Sequence, residues 1–235
     1  MIPLRDVNPS RGTPLVNYVL IALCALAFFY ELALGKGLER FLFEFGLVPA
    51  KITMPEISAH FSIRERLAPL LTSMFLHGGW LHLIGNMWTL YIFGDNVEGE
   101  LGHLRYGIFY VLTGLIAALI HVATNFDSRI PTIGASGAVA GVMGAYFLLY
   151  PQAKILTLFP IFFFFTLLEI PAYVFLGFWF ILQFFSGTFS LLAGSQNVGG
   201  IAWWAHVGGF VGGLVMLIPM KRSRGREREA FHHLR

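Results

Sequence analysis

Long apolar runs constrain this chain more than any other feature. They fall at about Leu15 to Leu34, Trp80 to Phe93, Tyr106 to Ala123, Ile133 to Tyr150, Pro171 to Leu192 and Trp203 to Met220, each bounded at least in part by charge, Pro or Gly. A helix needs about 20 apolar residues to cross hydrocarbon. The composition is 56% hydrophobic and 12% charged, and a soluble domain carries about 25% charged residues. An all-α fold is therefore expected, a polytopic membrane bundle of six transmembrane helices with no room for a large aqueous domain. The second and fourth runs are short for a bilayer. The Phe-rich "LFPIFFFFTLL" ahead of Glu169, flanked by Pro160 and Pro171, reads as an interfacial or re-entrant connection.

Three regions follow: a polar segment at 1–13, the membrane core at 14–220 and a basic tail at 221–235. The first run has no small-residue cleavage pattern behind it and reads as a retained span. Cys24 is the single cysteine, so no intrachain disulfide forms, and its place in an apolar run suits a small buried hydrophobe. The tail "KRSRGREREAFHHLR", next to a span, reads as an anchor on anionic lipid and not as a nucleic-acid site. Arg5, Arg11, Arg105, Lys154 and the tail are expected on the cytoplasmic side, which puts both termini there.

With an even number of spans, the second, fourth and sixth helices all run inward, and their first residues share one depth. Those residues include His82, Asn86, Ser136 and His206, the polar groups that lipid penalises most. Small residues repeat on the fourth helix at Gly137, Gly141 and Gly144, beside Ala140, and on the sixth at Gly208, Gly209, Gly212 and Gly213. Such repeats let helices touch backbone to backbone, which brings Ser136 against His206.

A serine hydroxyl becomes a good nucleophile when a neighbouring base takes its proton, and imidazole is the commonest such base. No Asp or Glu falls in the layer, so the expectation is a Ser-His dyad with the imidazole oriented by packing or by a hydroxyl. His82 and Asn86, four residues apart on one helix face, are candidate donors to an oxyanion, with the Ser136 N–H as a third. Taken singly, each residue has a plainer reading. Ser136 suits a helix cap, His206 a buried histidine or proton relay, and His82 with Asn86 an interhelical hydrogen bond. Their coincidence at one depth favours catalysis. A zinc site from His77, His82 and His206 is disfavoured, since no HExxH motif is present and His77 lies in a "HGG" turn. No metal or other cofactor is expected.

The motifs "HGGWLHLIGN" with His77, His82 and Asn86, "GASG" at Gly134 to Gly137, and "AHVGG" around His206 give the chain its likeness. It resembles the rhomboid intramembrane serine proteases, from about Pro14 to Met220. The resemblance implies Ser136 as nucleophile, His206 as general base, and an oxyanion pocket of His82, Asn86 and the Ser136 amide. "GDNVEGELG" looks like the family's structural motif, in which Glu98 holds helices together. Two positions depart from the pattern. Ala68-Pro69 replaces the Trp-Arg of many members, and Ala140 stands where some members stack a tyrosine on the base, leaving Trp203 and Trp204 as the aromatics nearest in sequence.

The fifth helix carries Phe175, Phe178, Trp179, Leu182 and Phe185 and lacks small-residue repeats. It is expected to pack loosely and to form a lateral gate, as the resemblance also suggests. The implied partners are the lipid bilayer and single-span membrane protein substrates with helix-weakening residues, because a hydrogen-bonded helix shields its peptide bonds. The glycine-rich "SGTFSLLAGSQNVGG" reads as a movable cap or a plain linker. The expected location is a bacterial cytoplasmic membrane. Two rivals differ in kind. One is a non-proteolytic relative that binds or escorts membrane proteins; the other is a small transporter whose polar layer is a solute path.

Overall fold

The computed structural model describes residues 1–10, 12–161, 164–192 and 202–221. Six long helices appear, α1 at Leu15–Ala33, α2 at Trp80–Leu101, α3 at His103–Thr124, α4 at Ser136–Leu149, α5 at Ala172–Leu192 and α6 at Trp203–Met220. Helices α1, α3, α5 and α6 are each long and apolar enough to cross a bilayer, and α2 joins them when counted with the short helices bent by 75° onto its start. Helix α2 runs 22 residues, past the expected end at Phe93, because Asp95, Asn96 and Glu98 continue the helix with polar groups at its C-terminal end. Helix α4 has only 14 residues, about 21 Å at 1.5 Å per residue. Residues Gly137 to Tyr146 are all buried, so protein and not lipid receives this short helix.

Glycine makes that burial possible. A β-carbon on Gly209 or Gly213 of α6 would lie 2.0 Å from the carbonyl oxygen of Gly137 or Gly141 of α4. Gly208 and Gly212 turn the other way, onto Ile120 and Ile116 of α3. Helices α4 and α6 thus meet backbone to backbone, and α3 seats the side chains of Ile116 and Ile120 on the remaining glycines of α6.

At the opposite end of α2, the buried Glu98 carboxylate accepts the backbone N–H groups of Val16 and Asn17 at 2.9 and 2.8 Å, and His103 Nδ1 bonds the same group. The first N–H groups of a helix lack intrahelical acceptors, so Glu98 completes the start of α1. Asn17 in turn donates to Leu90 O and accepts from Tyr106 Oη at 2.7 Å. One polar cluster therefore ties α1, α2 and α3 together, as the resemblance implied for Glu98.

The polar start and the Phe-rich connection differ from expectation. Strand β1 (Ile2–Asp6) pairs with β2 (Lys154–Ile161), which pairs with β3 (Phe164–Pro171), giving an antiparallel sheet in the order β1-β2-β3. The segment between α4 and α5, expected as an interfacial or re-entrant connection, is thus built of two antiparallel strands. Pro160 is the next-to-last residue of β2 and Pro171 ends β3, positions near strand ends where a missing N–H is tolerated. The N-terminal strand is tied to the bundle: Trp88 Nε1 donates to Pro3 O at 2.7 Å and Tyr146 Oη to Asp6 Oδ2 at 2.6 Å.

The long first loop forms short helices that lean on the α3–α4 connection. Leu47 and Thr132 exchange backbone hydrogen bonds of 2.9 and 2.8 Å, and Gly134 N–H donates to Ser73 O at 2.9 Å. Backbone bonds of this kind anchor the loop, while Pro69 occupies the first position of a one-turn helix. Of the expected cap at 186–200, residues 186–192 are the last turns of α5 and not a loop, and 193–200 lie outside the described residues, as do Arg11 and the tail beyond Lys221.

Candidate active site

Ser136 opens α4 and His206 sits in the first turn of α6. The seam described above brings them together: Ser136 Oγ lies 2.8 Å from His206 Nε2 across 70 residues of sequence. The other ring nitrogen, His206 Nδ1, is 2.8 Å from Gln183 Oε1. A carboxamide oxygen only accepts, so the ring proton resides on Nδ1 and the Nε2 lone pair faces the serine hydroxyl. That is the tautomer a general base requires.

The sequence reading expected packing or a hydroxyl to orient His206 and missed Gln183. The available signal was a lone polar residue inside the apolar "FILQFF" of α5. Trp179, one turn before Gln183, lies beside the imidazole with ring centroids 5.9 Å apart and planes 35° apart. Trp203 meets the same ring edge-on at 6.4 Å, whereas Trp204 packs on Phe184.

His82 Nδ1 accepts from Gly78 N–H at 3.4 Å, which leaves Nε2 as the protonated nitrogen. This Nε2 lies over Gly134, where a β-carbon would come within 2.6 Å of it. Gly134 also has φ +129°, a conformation that residues with side chains rarely adopt. Asn86, one turn after His82, is buried, and its Nδ2 has no hydrogen-bond partner among the described residues. As the first residue of α4, Ser136 carries an N–H without an intrahelical acceptor. His82, Asn86, Ser136 and His206 line one cavity of about 610 Å³.

His121 also lines this cavity and was not singled out from sequence. Its Nε2 is 2.8 Å from Thr132 Oγ1, and Asn125 Nδ2 is 3.2 Å from its Nδ1. His77 stays outside the cavity wall. Its backbone N–H donates to the buried Glu31 carboxylate at 3.2 Å, which fixes the turn ahead of α2. Among the described residues, no group of three or more His, Cys, Asp or Glu stands together as a metal site. On α5, Phe175 and Trp179 face the cavity, while Phe178, Leu182 and Phe185 are exposed.

The Rhomboid domain family matches residues 64–223. The chain is 41% identical to RHOMBOID-like protein 5 of Arabidopsis thaliana over 76 residues, which is 32% of this chain and 25% of that protein. It is 29% identical to Rhomboid-related protein 2 of Mus musculus over 151 residues, 62% of this chain and 47% of that protein. It is also 37% identical to Inactive RHOMBOID-like protein 8 of Arabidopsis thaliana over 76 residues, 32% of this chain and 21% of that protein. The chain thus spans about a quarter of the first of these relatives and about half of the mouse protein. All three come from a plant or a mouse, so they give no support to the expected bacterial membrane. With the family matched over more than half of its length and the motif residues gathered around one cavity, this multi-pass membrane chain belongs to the rhomboid family.

Proposed function

We propose that the protein is an intramembrane serine endopeptidase that cleaves single-span membrane proteins with Ser136 and His206. The observation that carries this reading is the 2.8 Å contact between Ser136 Oγ and His206 Nε2 inside a cavity that also holds His82 and Asn86. Ser136 Oγ attacks the scissile carbonyl carbon as His206 Nε2 takes its proton. The carbonyl oxygen becomes an oxyanion that accepts from His82 Nε2–H, Asn86 Nδ2–H and the Ser136 N–H. His206 then returns the proton to the departing amine, leaving an acyl ester on Ser136. Water gives its proton to His206 as it attacks the ester, and His206 returns that proton to Ser136 Oγ as the acid leaves.

Substrate enters past α5, which keeps 22% of its apolar window buried against 44% for α3 and α6. A disulfide engineered between α5 and α2 is expected to stop cleavage of a membrane substrate, and full activity would refute lateral entry. In this reading both termini face the cytoplasm and the dyad lies near the opposite surface.

The name of one relative, Inactive RHOMBOID-like protein 8, keeps a second reading in view, in which the same fold binds or escorts membrane proteins without cutting them. One experiment separates the two. Purified protein in detergent is incubated with a model single-span substrate, beside Ser136→Ala and His206→Ala. Cleavage by the wild type that both substitutions abolish supports the protease; no cleavage by the wild type favours the escort.

A further inference from the structure

Both groups that hold the ring of His206 come from α5. Gln183 accepts from Nδ1–H, and Trp179 lies beside the imidazole plane. The two are four residues apart, on one face of the helix. The helices that carry the dyad offer little instead: α4 has only the small side chain of Ala140 beside Gly209, and Trp203 on α6 reaches the imidazole only edge-on. Helix α5 is also held less firmly than the glycine-seamed helices, with half the buried share of α6. The nucleophile and the base are therefore fixed to each other through α4 and α6, while the tautomer and plane of the base depend on a separate helix.

We propose that Gln183 and Trp179 form a clamp through which the packing of α5 against α6 sets the orientation of His206. The base is competent while α5 is closed and idle when α5 swings out. This rests on the proteolytic reading and gives α5 a second task within it. A substrate helix that enters by pushing α5 aside meets an unready base, and it is cut once α5 closes behind it. Gln183 is a positioning residue; it touches no substrate, and the Nδ1 proton stays on the ring throughout the cycle. Because its carboxamide is neutral, it orients the imidazole without the charge that a carboxylate would add.

The test compares wild type, Gln183→Leu and Gln183→Glu in detergent. Three quantities are measured: the nitrogen-15 NMR signals of the His206 ring, assigned through their loss in His206→Gln; the rate at which a fluorophosphonate labels Ser136; and kcat and KM for a model single-span substrate as a function of pH. In wild type the ring is expected to carry its proton on Nδ1, and in Gln183→Leu to become a mixture of tautomers. Gln183→Leu is expected to lower kcat and the labelling rate by about 10- to 100-fold, the usual scale for loss of an orienting partner, with KM unchanged. Gln183→Glu is expected to keep the Nδ1 proton and restore labelling, with the acid limb of kcat moved to higher pH, since a carboxylate favours the imidazolium.

Unchanged ring signals in Gln183→Leu, with kcat and labelling within twofold of wild type, would overturn the clamp and leave the protease standing. A wild type that cleaves nothing but shows the expected loss of the Nδ1–H tautomer in Gln183→Leu would overturn the protease and leave the clamp standing.

Discussion

Gly209 of α6 presses on the carbonyl oxygen of Gly137 of α4, so closely that a β-carbon on Gly209 would come within 2.0 Å of that oxygen. Backbone atoms cannot rotate away as a side chain can, so Gly209→Ala must push the two helices apart. A misplacement of about 1 Å in a reacting pair costs about 100-fold in rate. Gly209→Ala is therefore expected to lower cleavage by at least that factor and to reduce thermal stability. Gly212→Ala, whose β-carbon would meet the Ile116 side chain at 3.1 Å, is the control: its kcat and unfolding temperature are expected to stay near wild type.

Asn86 Nδ2, which has no hydrogen-bond partner among the described residues, predicts a different signature. Loss of one oxyanion donor costs about 100- to 1000-fold in kcat. Asn86→Ala should show this loss with little change in KM and with the fold intact by circular dichroism. An unchanged kcat would remove Asn86 from the oxyanion pocket.

Glu98 predicts loss of stability without loss of chemistry. Its carboxylate receives two backbone N–H groups of α1, and His103 Nδ1 contacts it as well. Leaving buried donors unpaired costs about 1–3 kcal/mol each. Glu98→Ala should unfold at clearly lower temperature in detergent, while fluorophosphonate labelling per folded molecule stays at the wild-type rate.

Asp6 predicts a pH dependence at the N-terminal strand. Burial raises its carboxyl from 3.8 to about 6, against the opposing effect of the Tyr146 hydrogen bond. The folded chain therefore holds this proton between about pH 4 and pH 6, where the unfolded chain has released it. The docking of β1 is firmest at and below pH 4 and weakens as pH rises through 6. Asp6→Asn, which cannot ionise, should match the wild-type unfolding temperature at pH 4 and exceed it at pH 8. Equal temperatures at both values would show that Asp6 does not couple the strand to pH.

The bundle and the approach of Ser136 to His206 were legible in sequence because both rest on repeats that one chain segment displays by itself. Apolar length marked the six helices, and four-residue glycine spacing marked the seam that joins Ser136 to His206. The sheet was not legible. It pairs Ile2 with Leu158, and its hairpin is apolar on both faces, so the period-two alternation that marks a strand is missing. Gln183 and Trp179 escaped for a related reason. Their role exists only where α5 meets α6, and nearness in sequence pointed to Trp203 and Trp204 instead. His121 likewise reaches the cavity from the far end of α3, well away from the motifs.

The pairing of β1 with the hairpin brings Met1 and Pro3 to the wall of the cavity that also holds Ser136 and His206, although Met1 itself remains exposed. Under the proposed function, a larger side chain at Met1 would narrow the space beside the dyad without touching either of its members.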